Sequence, residues 1–469
     1  MKETFINSTA AYCKDCGKYE PARIVSRDNI VYLERLCAKD KIHSVIIASD
    51  FSWYEERINH TTPIIQLKDA LPIVKGCPYD CGPCSFHTAE LRLPVFSITN
   101  DCNLNCPICF TYNRQDKKYY KSIEDIKKII ENILKRCENI EIINITGGEP
   151  TLHPDFFEIL ALFRSYGIPR ITVNTNGVRI AEDLEFALKI KESGVQMVLS
   201  LHTLEPEKSE LIYGADISAL KIKALETLEK SDIPVTLLPV AIKGLNEPDV
   251  GKIINAYFFK DFVKSITVQN MTFTGKNGSL FKPRKHIAID EVEKIIEKYS
   301  DGKIKQSDFF PLGAYHQLCY SAGYFIVNKN KIISLSKILP KKIFKEYTVK
   351  SYVLNPEREF EQHFREGLNN FWANNDTNEN AVDDIRILKS FLKSLFPDNE
   401  NITDTERKKR AESMIKMILI HPHMDEDNFD IDRVTRCADM VPDESGALIP
   451  ACSYNLIHRA KDPRFWIGE

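Results

Sequence analysis

The sequence lacks long apolar runs and any excess of positive charge. No run in its 469 residues approaches the roughly 18 apolar residues that a membrane-spanning helix needs. The opening stretch MKETFINSTAAYCKDC has no apolar core of the kind found in secretory signals. The formal net charge of -3 provides no general positive field for nucleic acid. These absences predict a cytoplasmic protein that does not bind nucleic acid.

Internal repeats and long low-complexity segments are also missing, and the composition is that of a globular protein. Hydrophobic residues make up 43% of the chain and charged residues 28%. A chain of this length holds about two or three domains of ordinary size. What the sequence has in excess is cysteine, with 13 residues. Their short spacings favour metal ligation over disulfides in a reducing compartment.

Three zones differ in their sequence pattern. Residues 1–92 are rich in cysteine, residues 93–275 alternate apolar runs with amphipathic helical stretches, and residues 276–469 are helical and highly charged. We predict a domain for each zone.

The middle zone contains apolar runs that predict six buried strands, separated by helices of period 3.6. The runs span residues 95–98, 140–145, 171–173, 196–201, 234–240 and 265–269. Repeated β-α units imply an α/β fold with a parallel sheet and right-handed crossovers, curved or closed as a barrel. In such folds the chemistry lies at the carboxyl ends of the strands.

Three cysteines directly follow the first predicted strand, in the segment TNDCNLNCPICF. Cys102, Cys106 and Cys109 have the spacing C-x3-C-x2-C. Three thiolates on one short loop can bind three irons of a [4Fe-4S] cubane and leave the fourth iron open to a ligand. A zinc knuckle is the alternative, but it usually combines paired C-x2-C units with a fourth ligand. The spacing therefore favours an iron–sulfur cluster with an open iron.

This segment resembles the radical S-adenosylmethionine (SAM) superfamily, whose signature has an aromatic or apolar residue before the last cysteine, here Ile108. The resemblance implies that Cys102, Cys106 and Cys109 hold a [4Fe-4S] cluster that cleaves SAM to a 5'-deoxyadenosyl radical. It also implies a partial (β/α)6 radical SAM barrel in residues 93–275. An N-terminal cysteine-rich metal-binding domain would precede the barrel, and a mostly helical C-terminal extension would cover the substrate.

Polar residues at the ends of later strands are the candidates for holding SAM. Gly147, Gly148 and Glu149 follow the second strand, where the superfamily's GGEP motif holds the SAM amino group through backbone and carboxylate. A tight β-α turn is the structural alternative. Similar positions at the ends of the third, fourth and sixth strands are Asn174, Asn176, Ser200, His202 and Gln269. Loop capping is the alternative for these residues.

Nine other cysteines form three groups of three, once Cys137 is assigned to the apolar face of a helix. The groups are Cys13, Cys16 and Cys37, then Cys77, Cys81 and Cys84, and then Cys319, Cys437 and Cys452. The first group resembles a rubredoxin or zinc-ribbon half-site and predicts one iron or zinc ion, with Asp40 or His43 as a candidate fourth ligand. The second repeats the C-x3-C-x2-C spacing and predicts an auxiliary [4Fe-4S] cluster. The third would form another cluster if its members converge, with isolated buried thiols as the alternative.

The outer segments resemble one group within the superfamily, which contains the archaeal tetraether synthase, bacterial membrane-spanning-lipid synthases and radical SAM pterin methylases. The likeness is carried by CKDC with YLERLC, GCPYDCGPC, CNLNCPICF, VQNMTFTG, HQLCYSAGYFIV, and HMDEDNFDIDRVTRC with IPACSYN. Two positions depart from the group: Arg92 stands about where the group has a cysteine, and Asp40 where it has a histidine.

This narrower resemblance implies hydrogen abstraction from an unactivated carbon and C–C bond formation on a lipid or other apolar substrate. The first alternative is transfer of a methyl or alkyl group to a small heterocycle or natural-product precursor. The second is a non-enzymatic metal scaffold, which would need neither an open iron nor the GGEP motif. The expected cofactors are SAM, its cluster and one or two auxiliary clusters. The expected partner is a flavodoxin- or ferredoxin-type reductant. Basic runs such as 407–410 could contact anionic lipid headgroups at a membrane surface, but a solvated surface is the preferred interpretation of these runs.

Overall fold

The computed structural model describes most of the chain. The described residues are 3–37, 39, 41–59, 64–65, 70, 72–80, 84–113, 116–137, 140–329, 331–349, 351, 353–354, 356–374, 379–443 and 446–462. The strands are β1 (Glu3–Cys13), β2 (Lys18–Arg27), β3 (Ile30–Leu36), β4 (Ile42–Ala48), β5 (Leu93–Thr99), β6 (Ile142–Gly147), β7 (Arg170–Thr175), β8 (Gln196–Ser200), β9 (Val235–Leu238), β10 (Val240–Ala241), β11 (Val263–Asn270), β12 (Ser321–Asn328), β13 (Lys331–Ser334), β14 (Ile415–Ile420), β15 (Asp439–Pro442) and β16 (Leu448–Pro450). The helices are α1 (Phe51–Ile58), α2 (Ile123–Leu134), α3 (Phe156–Ser165), α4 (Val178–Glu182), α5 (Leu184–Ser193), α6 (Pro206–Tyr213), α7 (Ser218–Lys230), α8 (Glu247–Tyr257), α9 (Ile289–Tyr299), α10 (Lys341–Tyr347), α11 (Arg358–Asn374), α12 (Glu379–Leu395), α13 (Asp404–Met414), α14 (Ile431–Thr435) and α15 (Ala451–Ser453).

The amino-terminal strands form a small antiparallel sheet in the order β1-β2-β3-β4. Alternate apolar residues such as Ala11, Val31 and Leu33 are buried on one face, together with Tyr54 of α1. The hairpin between β1 and β2 turns at Gly17, whose φ of 67° lies in the left-handed region that glycine adopts without strain. This turn places Cys13 and Cys16 at one end of the sheet.

The predicted parallel core is confirmed. Strands β5, β6, β7, β8, β9 and β11 are parallel neighbours in that order. Their outward-facing residues, such as Ile143, Ile145 and Val173, pack in one large core with residues of the surrounding helices, including Ile130 of α2 and Ile159 of α3. Because successive side chains of a strand point to opposite faces, the intervening residues face the interior of the curved sheet.

Strands from the carboxyl-terminal third complete the same sheet. β14 lies parallel to β11, β12 lies antiparallel to β14, and β15 runs parallel to β5 at the opposite side of the core. The sheet that begins in residues 93–275 therefore continues into residues 276–469, and the domain boundaries at 92 and 275 stay a prediction.

The helical part of the extension packs around its own apolar core. Phe360 and Phe364 of α11 meet Leu388 and Phe391 of α12 in this core. Among the residues that the structure describes, no helix is both long and apolar enough to pass through a lipid bilayer.

Candidate active site

The cysteine loop follows β5 at the carboxyl end of the parallel strands. The backbone N–H of Cys109 donates to the carbonyl of Cys106 at 3.0 Å, which closes a turn. Burial raises the pKa of Cys106 to about 12, and it also raises the pKa of Cys102, which is 8% exposed. The charges of all three thiol groups act on one another. Buried thiolates this close need a compensating positive charge, so the donor set fits an iron–sulfur cluster.

The Gly-Gly-Glu loop after β6 packs against the start of the cysteine loop. The N–H of Gly148 donates to the Thr99 carbonyl at 2.8 Å, and the N–H of Glu149 donates to the Asp101 carbonyl at 2.7 Å. A Cβ atom on Gly148 would lie 2.1 Å from the Asp101 oxygen, and one on Gly147 would lie 2.2 Å from the Thr99 oxygen. Both positions therefore require glycine for the two loops to touch.

The carboxylate of Glu149 joins the ends of β6 and β7. One oxygen accepts from the Thr151 N–H at 3.2 Å, the Thr151 hydroxyl at 2.6 Å and the Thr175 hydroxyl at 2.9 Å. The other accepts from the Asn176 N–H at 2.6 Å. Burial raises the pKa of Glu149, and these donors oppose that shift. With four donors from the protein, the carboxylate positions the loops, and its contact with SAM stays a prediction.

The two asparagines after β7 have different surroundings. The side-chain amide of Asn176 donates to the Asn103 side chain at 2.6 Å, which connects it to the cysteine loop. The side-chain oxygen of Asn174 accepts from Asn144 at 2.9 Å, and Asn174 lines the internal cavity. Asn176 is therefore placed beside the predicted cluster, and Asn174 beside the space for a substrate.

Lys221 of α7 is a site residue that the sequence analysis missed. Its side chain is 1% exposed, and its ammonium donates to the Asn176 carbonyl at 2.6 Å, the Ser200 carbonyl at 2.6 Å and the Ser200 hydroxyl at 3.1 Å. Burial lowers the pKa of Lys221 to about 7, while the nearby Cys106 and Glu149 act to raise it. The available signal was its spacing of three, four and seven residues from apolar positions of the same helix, which places it on the buried face.

The side chain of His202 is buried and contacts neighbouring groups of the protein. Its Nδ1 accepts from the Val240 N–H at 3.1 Å, and its ring stacks on Tyr213 with centroids 4.9 Å apart. Its backbone N–H donates to the Tyr213 hydroxyl at 2.8 Å. Burial lowers the pKa of His202 to about 3, so the imidazole is neutral. These contacts support the capping alternative, and contacts of Ser200 and His202 with SAM stay predictions.

A cavity of about 450 Å³ occupies the interior of the barrel. It extends from Gln269 and Asn174 at the carboxyl ends of the strands to Arg170 and Lys264 at their amino ends.

The cavity wall has a polar arc and an apolar arc. In the polar arc, Asn144 donates to Thr172 at 2.9 Å, Gln196 donates to Thr236 at 2.7 Å, and Thr236 bonds Ser265 at 2.8 Å. Most apolar side chains of the wall, which form the apolar arc, lie on strands outside β6 to β11 and on a short segment near α11: Leu93, Val95, Val353, Leu354, Ile415, Met417 and Leu419. Ile142, Val198 and Leu238 add apolar surface within the polar arc.

A second set of residues that the sequence analysis missed forms the end wall of the cavity near Gln269. The side-chain amide of Gln269 lies 3.4 Å from Nε2 of His423. His421 stacks on Tyr320 with ring centroids 4.0 Å apart, and Tyr320 donates to the Asp439 carboxylate at 2.6 Å. Burial lowers the pKa of both histidines to about 3. Neutral imidazoles, a phenol and an amide therefore face this part of the cavity.

Cys319, Cys437 and Cys452 converge on the other side of that wall, around one small cavity. Burial raises the pKa of Cys452 to about 11 and raises that of Cys437 well above its ordinary value, and the three thiol groups act on one another. His423 connects this group with the cysteine loop, because its ring stacks on Phe110 at 5.4 Å and its Nδ1 lies 3.8 Å from the Cys452 sulfur. The three cysteines therefore line one small cavity, and the cluster that they would hold stays a prediction.

The group of Cys77, Cys81 and Cys84 is described in part. Cys84 is buried, and burial together with the charge of Cys84 raises the pKa of Cys77 to about 12. Cys81 lies outside the described residues. Arg92 donates its backbone N–H to the Ala438 carbonyl at 2.9 Å, and its side chain pairs with Glu90 at 2.7 Å.

The amino-terminal group forms a compact donor set. The ligand atoms of Cys13, Cys37 and His43 all lie within 4.8 Å of one another. Burial acts to raise the pKa of Cys13, but hydrogen bonds from the Cys16 backbone and from Cys37 outweigh it and lower that pKa to about 7. His43 Nε2 also lies 3.0 Å from a carboxylate oxygen of Asp15. Two thiols and one imidazole, with Cys16 as a further thiol in hydrogen-bonding contact with Cys13 and Cys37, suit a single zinc or iron ion. Asp40 lies outside the described residues.

Comparisons with known proteins agree with this geometry. A family model described as the Radical SAM superfamily matches residues 96–256. The chain is 27% identical over 498 aligned residues to 7,8-dihydro-6-hydroxymethylpterin dimethyltransferase of Methanocaldococcus jannaschii, with 96% of this chain and 94% of that protein covered. It is 31% identical to a probable GTP 3',8-cyclase of Pyrococcus abyssi over 35% of this chain and 60% of that protein. The solved structure of Streptococcus suis SuiB bound to S-adenosylmethionine has a TM-score of 0.38 and 19% identity, covering 45% of this chain and 48% of that chain. The chain therefore carries a radical SAM domain, and it is an enzyme.

Proposed function

We propose that this radical SAM enzyme transfers a methyl or alkyl group to a carbon of a small polar heterocycle, forming a C–C bond. The polar arc of the cavity is the observation that carries this proposal. Side-chain amides and hydroxyls such as Asn144, Gln196 and Thr236 line the cavity, which also reaches Phe110 and Thr111 at the end of the cysteine loop. Amides offer both donors and acceptors, which match the ring nitrogens and carbonyl groups at the edge of a heterocycle. These side chains already bond one another, and a heterocycle could use their remaining hydrogen-bonding atoms, whereas a hydrocarbon chain could not.

The similarity over nearly the whole chain supports the same class of substrate. The relative with 96% of this chain aligned is named for dimethyl transfer to 7,8-dihydro-6-hydroxymethylpterin. A pterin is a flat heterocycle with nitrogen and oxygen atoms along its edges. The neutral rings of Tyr320, His421 and His423 at the end wall offer flat surfaces and hydrogen-bonding atoms to such a molecule.

The cysteine loop, Asn176 and Lys221 form the proposed site for the [4Fe-4S] cluster and SAM. A cluster held by Cys102, Cys106 and Cys109 would supply the electron for reductive cleavage of SAM, and so the radical chemistry of hydrogen abstraction. The ammonium of Lys221 has its three donors occupied by Asn176 and Ser200, so we infer that it acts on the SAM carboxylate through its charge. The electron comes from an external one-electron reductant of the flavodoxin or ferredoxin type.

The outer cysteines complete the proposed set of metal sites. Cys319, Cys437 and Cys452 would hold one auxiliary [4Fe-4S] cluster, since they converge beside the cavity. Cys77, Cys81 and Cys84 would hold a second. The amino-terminal group with His43 would hold one zinc or iron ion.

The experiment uses SAM labelled at its methyl group, anaerobically reconstituted enzyme, dithionite and 7,8-dihydro-6-hydroxymethylpterin as the probe. We expect 5'-deoxyadenosine and a pterin whose mass has increased by a carbon group carrying the label. Asn144→Leu should leave SAM cleavage intact and reduce label transfer, because it removes an amide from the polar arc. Recovery of unlabelled pterin alongside 5'-deoxyadenosine would refute the proposal.

The apolar arc favours a second candidate, the coupling of acyl or isoprenoid chains with peripheral membrane contact. Leu93, Ile415 and Met417 provide an apolar surface along the cavity, which a hydrocarbon chain could cover. Lipid that co-purifies with the protein, identified by mass spectrometry, would support this candidate. Product from lipid vesicles that lacks the SAM label would distinguish chain coupling from alkyl transfer.

A further inference from the structure

Arg433 of α14 is a buried cation beside the third cysteine group. The residue is 6% exposed, and it lines the same small cavity as Cys319, Cys437 and Cys452. One end of its guanidinium donates to the Pro422 carbonyl at 3.2 Å. Its Nε is buried and has no hydrogen-bond partner within the described ranges. A charged side chain with unused hydrogen-bonding capacity therefore faces a cavity lined by three thiols.

The nearby carboxylates make their contacts elsewhere: Asp439, which lines the same small cavity, accepts from the Tyr315 hydroxyl at 2.8 Å and the Tyr320 hydroxyl at 2.6 Å. Asp430 accepts from the Thr9 hydroxyl at 2.5 Å and from the Asp432 N–H at 3.0 Å. Asp432 pairs with His316 at 3.3 Å and with Arg436 at 3.1 Å. By contrast, the charges of Cys319 and Cys452 act on the Arg433 guanidinium more strongly than the charge of Asp430 does.

Burying a guanidinium is costly unless an anion compensates its charge. A [4Fe-4S] cluster held by thiolates is such an anion, and its negative charge grows when it takes up an electron. A fixed positive charge close to the sulfurs stabilises the reduced cluster more than the oxidised one, which raises the reduction potential.

We propose that Arg433 is the counter-charge of an auxiliary cluster held by Cys319, Cys437 and Cys452, and that it raises the reduction potential of that cluster. The inference rests on the auxiliary cluster of the proposed function.

The experiment compares full-length variants after anaerobic reconstitution. Iron and sulfide are counted per chain, and a redox titration with dithionite is followed by electron paramagnetic resonance. A Cys319→Ala, Cys437→Ala, Cys452→Ala variant isolates the signal of the auxiliary cluster by difference. For Arg433→Met we expect the ratio of reduced to oxidised auxiliary cluster at a fixed potential to fall at least ~10-fold, equivalent to ~59 mV for one electron.

Two further variants serve as comparisons. Arg436→Met removes a charge three positions along the chain, where the side chain is 28% exposed, and it should leave the potential unchanged. Arg433→Lys keeps the charge but loses the planar guanidinium donors, so the fall should be smaller than for Arg433→Met. Circular dichroism checks that each variant is folded.

The outcomes distinguish failure of the auxiliary cluster from failure of the role proposed for Arg433. If the triple cysteine variant retains all of the wild-type iron, the auxiliary cluster itself is refuted. If it loses iron while Arg433→Met titrates at the wild-type potential, the cluster stands and the role of Arg433 is refuted. Should Arg433→Met fail to fold, Arg433→Gln decides, because glutamine removes the charge but keeps hydrogen-bonding groups: a lowered potential supports the proposal, and the wild-type potential overturns it.

Discussion

Replacing Lys221 by methionine tests whether the buried ammonium belongs to the SAM site. Methionine has a similar length and no charge, so it fills the space but cannot donate to the carbonyls of Asn176 and Ser200. These contacts measure 2.6 Å each in the folded protein. A hydrogen bond to a charged group is worth about 1.5–3 kcal/mol, and an abandoned buried acceptor costs about 1–3 kcal/mol. We therefore expect the free energy of unfolding to fall by about 3 kcal/mol.

The effect on SAM follows from Coulomb's law. We assume for this test that the SAM carboxylate binds on the order of 8 Å from the ammonium; at an effective dielectric constant of about 20 the two charges then attract by about 2 kcal/mol. Removing that attraction should raise the Kd of SAM by ~30-fold. Equilibrium binding of SAM to the reconstituted variant measures the change, and thermal unfolding measures the stability.

Lys223→Met is the matched control for this substitution. Lys223 lies on the same helix but is exposed, so its loss should change stability by no more than about 0.5 kcal/mol and leave the Kd unchanged. A folded Lys221→Met protein that binds SAM with the wild-type Kd would show that the lysine supports the loops only and takes no part in holding SAM.

Three other substitutions test separate parts of the site. Cys106→Ala should abolish 5'-deoxyadenosine formation and lower the iron content while the circular dichroism spectrum is kept; cleavage at the wild-type rate would disprove the cluster assignment. Gly148→Ala forces a Cβ to within 2.1 Å of the Asp101 oxygen, so we expect a loss of about 1–3 kcal/mol of stability and weaker cluster loading; an unchanged melting temperature would contradict the close packing of the two loops. His43→Ala should release one zinc or iron ion per chain without changing the cluster content, and metal analysis that shows full retention would exclude the imidazole as a ligand.

The elements that the sequence predicted well depend on local pattern. The six core strands were predictable because their apolar runs are short and evenly separated by helical periods. The cysteine loop was predictable because its three ligands lie within eight consecutive residues. The Gly-Gly-Glu loop was also predictable from a short local motif. The structure explains its two glycines by their backbone contact with Thr99 and Asp101.

The residues that escaped prediction are placed by long-range pairing. His421 and His423 reach the cavity because β14 aligns Ile418 with Ile266 of β11, a register that no local pattern encodes. Asp439 reaches it because β15 aligns with the start of β5. For the same reason, the sequence alone did not decide whether Asp40 or His43 is the fourth ligand of the amino-terminal metal site. Pairing of His43 with Arg35 across β3 and β4 brings the imidazole back towards Cys37.

The same pairings make the carboxyl-terminal third part of the active site. β14 extends the core sheet beyond β11, and β15 extends it beyond β5, so both edges of the parallel core are covered by this third. The end wall and the third cysteine group lie on the segments that supply or flank these strands. His423 follows β14, and it contacts Phe110 of the cysteine loop on one side and Cys452 on the other. The pairing of β14 with β11 therefore places the His423 imidazole between the cysteine loop and the third cysteine group.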